Sequence, residues 1–219
     1  MRNKRLFPHL SEQTSVRVLI VAAAVAMVLA PVAALGQPRS PAPMLIYGGV
    51  IVTVDSHDGP WLQSLNPAYD YGYHDNNGPA IVNPANSGLD FTAGHVLTIT
   101  YMSGLVSAGG SLPFVDADGD LTSPYGCGPG LREPNPKHLP CYYTDLSKQT
   151  HLMALLGVFT DSNGVIVSQP FTIGDGPFQI AVPPGATQLQ LGVNDDIYYD
   201  NMGSWAIQVT HYGPTPCSL

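Results

Sequence analysis

The chain of 219 residues carries 8 Lys and Arg against 16 Asp and Glu, a formal net charge of −8. An excess of carboxylates of that size repels phosphate backbones and excludes nucleic acid as a natural partner. The length suffices for one domain with a proper hydrophobic core.

Arg2, Lys4, Arg5 and Arg17 precede an apolar run from Val18 through Ala34, the arrangement of a basic leader and its hydrophobic segment. Pro31 ends any helix there, and Ala34-Leu35-Gly36 offers small residues to a signal peptidase, so cleavage is expected before Gln37. The sequence thus predicts a signal peptide over 1–36, a linker over 37–44, and a secreted or periplasmic product. The competing reading is an uncleaved anchor, because about 17 apolar residues is the lower limit for spanning a bilayer. No Cys stands directly after the apolar run, which argues against a lipid anchor, and no later stretch is long enough to span, so the mature chain is expected to lack a membrane span. Without the leader, 4 cationic residues face 15 acidic ones, a net charge of −11. With so few cations to pair with, some of these carboxylates are available to a metal.

Cys127 and Cys141 bracket a Gly/Pro-rich loop, and in an oxidising compartment they are expected to form a disulfide. The third cysteine, Cys217, has no evident mate and reads either as a free thiol or as an intermolecular link.

From residue 45 onward no stretch shows helical periodicity, while short β-branched runs recur between Gly, Pro, Asn and Asp clusters. Strands are predicted at 45–54, 81–82, 95–102, 151–159, 165–168, 178–182, 188–193 and 204–210. Alternation in Val96-Leu97-Thr98-Ile99-Thr100 and in Trp205-Ala206-Ile207-Gln208-Val209 means one buried face and one wet face. Asp161-Ser162-Asn163-Gly164 is a hairpin signal, and Pro183-Pro184-Gly185-Ala186 is a tight connection. The prediction is an all-β, jelly-roll-like β-sandwich of about eight antiparallel strands, formed by one domain over 45–219. Within it, Trp61, Tyr69, Tyr71 and Tyr73 lie among Asn, Asp and Gly, with His57 and His74 nearby. Such a stretch can stack on sugars, but packing over a core is the better reading.

The chemistry concentrates between the last two predicted strands, where Asp195, Asp200 and Asn201 supply three side-chain oxygens from one loop. A calcium ion takes six to eight oxygens, and a main-chain carbonyl from Ile197 or Tyr198 would add another. Gly203 then allows the turn into the final strand. An ordinary Asx-rich turn would carry the same composition, and composition alone leaves both readings open. A second run, Asp116-Ala117-Asp118-Gly119-Asp120, fails as an EF-hand, because Leu121 stands at the sixth position and Cys127 at the twelfth. It reads as a solvated turn, with a weak second calcium as the alternative.

The order of motifs resembles the PA-IL-like (LecA-type) family of calcium-dependent galactose-binding lectins. The resemblance rests on Gly192-Val193-Asn194-Asp195, a short loop, and Asp200-Asn201-Met202-Gly203-Ser204-Trp205. Upstream it continues in Thr92 to Ile99, Ser103 to Gly109, Ser123 to Gly126, His151 to Gly157 and Phe171 to Gly174, so that a lectin-like core spans 81–212. It implies calcium held by Asp195, Asp200 and Asn201, by the main-chain carbonyl of Ala108, and by a mid-loop carbonyl taken as that of Tyr198. It also implies sugar hydroxyls on the ion, with Asp195, Asp200, Asn201 and His138 as sugar contacts. The span from Asp195 to Asp200 is two residues shorter than in the best-known member, Asp200 replaces an Asn, and the loop between Gly126 and Tyr142 is rebuilt.

The function expected is calcium-dependent carbohydrate binding, of galactose-type sugars, by an exported protein. The alternative is an interaction or structural domain that calcium merely stiffens. An enzyme is not expected: neither a Gly-x-Ser-x-Gly elbow nor a His-Glu-x-x-His motif occurs, and the 7 His are scattered. A glycan ligand is the expected partner, and self-association into a homo-oligomer stays open.

Overall fold

The computed structural model describes residues 46–132, 139–142 and 149–212; the expected leader and linker, His138 and Cys217 lie outside them. Among the described residues there are ten strands: β1 (Ile46–Asp55), β2 (Ala80–Val82), β3 (Val96–Ser107), β4 (Gly126–Cys127), β5 (Thr150–His151), β6 (Leu155–Thr160), β7 (Phe171–Thr172), β8 (Phe178–Ala181), β9 (Gln188–Val193) and β10 (Met202–Tyr212). They pair in two four-stranded sheets, ordered β1-β10-β3-β8 and β2-β9-β6-β7, with β4 and β5 forming a small ribbon. Every strand pairing is antiparallel, so the expected all-β sandwich is the fold. Among the described residues no helix is long and apolar enough to cross a membrane.

Alternation positions the core. On β9, Leu189, Leu191 and Val193 share one face, and Gln190 and Gly192 the other. The first set lies with Phe159 on the face toward the other sheet, where Phe159, Phe171 and Phe178 form a chain of ring contacts 5.8 and 5.4 Å apart. Leu97, Ile99, Trp205, Ile207 and Val209 answer from the facing sheet, all essentially inaccessible to solvent. The predicted strand over 151–159 is two strands, β5 and β6, because Met153 takes a left-handed backbone with φ of 63° and breaks the ladder. The predicted strand over 165–168 reduces to an isolated bridge between Thr160 and Ile166. Its hairpin turn is present: Asp161 N–H donates to the Val165 carbonyl (2.9 Å) and Gly164 N–H to the Asp161 carbonyl (3.1 Å).

The outer face of the second sheet is also covered. Residues 59–77 form a strap closed at its base by Gly59 N–H to Asn77 O (3.2 Å) and Asn77 N–H to His57 O (2.8 Å). Gly192 lies directly beneath Gly59 and Pro60. Asn66 ties the strap to the hairpin, donating to Gly164 O (3.0 Å) and accepting from Ile166 N–H (2.9 Å). Under the strap, Trp61 and Tyr71 are 0% and 1% exposed, and Trp61 meets Tyr69, Tyr71 and Tyr142 edge-on. The aromatic stretch is therefore a second, minor core. Trp61 and Tyr71 present no open ring face for a sugar to stack on.

Cys127 and Cys141 are bridged, with Cα atoms 5.8 Å apart and a sequence separation of 14. Closing a ring of that size restricts the unfolded chain by about 3 kcal/mol. The Cys127→Ala/Cys141→Ala double variant is accordingly expected to lose about that much stability in urea denaturation. An unchanged midpoint would show that the bridge contributes nothing.

Candidate functional site

The loop between β9 and β10 is anchored at both ends before any ligand is considered. Asn194, fully buried, donates from its side chain to His151 O (2.9 Å), and its main chain exchanges bonds with Met153 and Ala154. At the far end Asn201 donates to Ser56 O (2.9 Å), while Ser56 N–H bonds Gly203 O (3.1 Å). Between them Tyr198 is buried, and its hydroxyl donates to Val193 O (2.8 Å).

Inside this frame three side-chain oxygens are left over, Asn194 Oδ1 and one each from Asp195 and Asn201. Asp195 is 3% exposed; its Oδ1 accepts the Asp196 N–H at 2.7 Å and, at 3.4 Å, the Ile197 N–H, whereas its buried Oδ2 has no hydrogen-bond partner. Asn201, also 3% exposed, spends its amide nitrogen on Ser56 and leaves Oδ1 buried and unpartnered. Burial pushes the Asp195 carboxyl up to about 7, with the neighbouring Asp196 adding to the rise. The Asn201 side chain and the Asp196 and Ile197 amides beside it oppose the shift. An unmatched buried acceptor costs on the order of 1–3 kcal/mol, more when charged, and three such acceptors in one loop are open to a hydrogen-bond donor or a cation. All the available donor atoms are oxygens, the set a hard cation such as calcium prefers.

Three other predicted residues lie in or beside the same loop. Gly109, with φ of +77°, abuts Asp200, and a β-carbon there would lie 2.8 Å from Asp200 Oδ2. The half-buried Ala108 thus stands beside the loop although 92 residues separate it from Asp200 in sequence. Asp200 itself is exposed. The Tyr198 carbonyl accepts the Asn201 N–H (3.1 Å), which leaves it one lone pair. His138 falls outside the described residues.

Sequence reasoning missed a further anchor. Asp75, from the strap, accepts N–H bonds from Tyr198 (3.3 and 3.2 Å) and Tyr199 (3.1 Å), and Tyr73 N–H bonds Asp196 O (3.0 Å). With 123 residues between Asp75 and Tyr198, no local pattern signals this contact.

The acidic run after β3 is also rearranged. Asp120 turns away, its Oδ1 bonded to Thr122 N–H (2.9 Å) and hydroxyl (2.7 Å). Asp175 takes its place: carboxylate oxygens of Asp116, Asp118 and Asp175 lie within 4.8 Å of one another. Burial and the two neighbouring carboxylates raise the Asp175 pKa. Asp175 Oδ1 already accepts Ala117 N–H (3.0 Å) and Asp118 Oδ1 accepts Asp175 N–H (2.9 Å), so local amides account for part of the grouping.

Comparison with protein-family models, with curated proteins and with solved structures returned no match.

Proposed function

We propose that this chain is a calcium-dependent carbohydrate-binding protein of the exported type, a lectin rather than an enzyme. The observation that carries the reading is the pair of buried, unpartnered oxygens, Asp195 Oδ2 and Asn201 Oδ1, in one loop tied down by Asn194, Ser56 and Asp75. Asp195 and Asn201 would hold the ion, with Asp200 and the main-chain carbonyls of Ala108 and Tyr198 completing the protein's share. Calcium would supply a charge centre able to exchange water for vicinal hydroxyls of a galactose-type sugar. The exposed Asp200 is then the carboxylate best placed to accept hydrogen bonds from those hydroxyls.

One observation favours a second reading. Asp195 and Asn201 are each 3% exposed, which leaves a sugar little direct access to them. A calcium ion that only stiffens the loop of an interaction domain needs no such access.

Thermal melting in calcium and in chelator tests what the two readings share. A ligand that binds only the folded state contributes about 2.7 kcal/mol at a hundredfold excess over Kd, so the calcium curve is expected to lie several degrees higher. Coincident curves would remove the metal site. Calorimetric titration of galactose into the calcium form then separates the readings: heat that chelator abolishes supports the lectin, and its absence leaves the stiffened domain.

A further inference from the structure

The strap carries a feature that the calcium loop does not use. Between residues 62–67 and 70–78 lies an open cleft of about 480 Å³, lined by Leu62, Gln63, Ser64, Asp70, His74 and Asn77 among others. That volume is in the range of small-molecule sites. His74 Nε2 lies 2.8 Å from Asp70 Oδ1, and both side chains are more than half exposed. A carboxylate can only accept, so Nε2 carries the proton and, in the neutral ring, Nδ1 is left as an acceptor.

The backbone is bent to build this wall. His74 has φ of 62°, a left-handed conformation that costs a non-glycine residue on the order of 1–2 kcal/mol, and Gly72 precedes it at φ of 60°. The two turns divide the strap between two tasks. Tyr73 N–H and the Asp75 carboxylate hold the loop over 196–199, whereas Asp70, His74 and Asn77 line the cleft. The same anchors that fix the metal loop therefore hold the cleft wall in shape.

We propose that this cleft is a second ligand site, for a neutral saccharide, and that it works without calcium. Among the described residues nothing hydrogen-bonds Asp70 Oδ2 or the side chains of Ser64 and Asn77, so they are free to a ligand. Acceptors from Asp70 and His74 beside the hydroxyl of Ser64 and the amide of Asn77 match hydroxyl groups, which both donate and accept. Leu62 offers an apolar surface for ring C–H groups. Among the described residues no Lys or Arg lines the cleft, and the chain is strongly acidic, which disfavours an anion.

The test is saturation-transfer NMR with the methyl α-glycosides of galactose, glucose and mannose, all in chelator. At least one is expected to receive saturation from the wild type and from Asp195→Asn. Asp70→Ala and Asn77→Ala, with unchanged melting temperatures, are expected to weaken that binding about tenfold, the worth of one charge-assisted or well-placed hydrogen bond. If Asp70→Ala melts early, Asn77→Ala and Asp70→Asn decide. No transfer in chelator from any of the three glycosides, transfer unmoved by all the cleft variants, or displacement by ethylammonium at equal concentration would each overturn the proposal. Because every arm is run without calcium, these outcomes are independent of the reading of the metal loop.

Discussion

Asp195→Asn is expected to lower calcium affinity by at least about a hundredfold while making the calcium-free protein more stable above neutral pH. The substitution keeps the shape and the Oδ1 that accepts the Asp196 N–H (2.7 Å), so the turn survives. What it removes is a buried negative charge whose second oxygen has no partner. In the absence of a cation that charge opposes folding. In the proposed calcium form it would be the main attraction, so the two effects have opposite sign, and a merely structural Asx turn would show the stabilisation alone. Sugar heat is expected to vanish with the calcium heat in Asp195→Ala, and sugar binding that survives in full would place the recognition site elsewhere.

The same residue sets a pH dependence. The folded carboxyl is raised from 3.8 to about 7, so between those values the folded chain keeps a proton that the unfolded chain has released. Stability in chelator is therefore full at low pH and falls as pH rises through that window, by up to about 1.4 kcal/mol per unit. Asp58, raised to about 6 by burial, contributes in the same direction. Hence the part that belongs to Asp195 is the part missing from Asp195→Asn. The proposed calcium site needs the ionised form, so the gap between melting temperatures in calcium and in chelator is expected to widen from pH 5 to pH 8. A constant gap would separate the metal from Asp195.

What could be read ahead of the structure was what repeats locally. Alternation marked β3 and β10, and Asp161 to Gly164 marked its hairpin, because side-chain period and turn chemistry act over a few residues. The Asx-rich loop was visible for the same reason, and the Cys pair from its spacing. That the aromatics of the strap pack over a core was expected from their composition, but its course was not legible, since Trp61 and Tyr71 are buried by irregular chain that has no period. Asp75, Ser56 and Asp175 were invisible as partners because each meets its site across 57 or more residues of sequence. Met153 also gave no warning, for a left-handed methionine in an apolar run is a tertiary compromise and not a local preference.

Gly192→Val is expected to destabilise the protein by more than about 3 kcal/mol and to detach the strap from the sheet. Gly192 sits mid-sheet on β9, paired with Leu156 on β6, and its missing side chain is what admits the strap. A β-carbon at 192 would run into the carbonyl carbon and oxygen of Gly59 and the nitrogen of Pro60, all main-chain atoms with no rotamer to yield. The main chain there is pinned by Val193 N–H to Asp58 O (2.9 Å) and by Gly59 N–H to Asn77 O (3.2 Å), so relief requires breaking those bonds. Lifting residues 59–60 uncovers Trp61, whose burial accounts for about 3 kcal/mol or more by comparison with core Trp→Ala changes. It also withdraws Asp75 from the Tyr198 and Tyr199 amides, which loosens the loop around Asp195 and Asn201. Urea denaturation followed by tryptophan fluorescence reads both effects, because Trp205 lies in the main core and Trp61 under the strap. The variant is expected to show Trp61 emission red-shifted before any denaturant is added, with the Trp205 transition intact but earlier. Calcium affinity measured on the same protein is expected to fall about tenfold although no proposed ligand has been touched. A variant with wild-type emission and midpoint would mean that the strap rides on the sheet without being held by it.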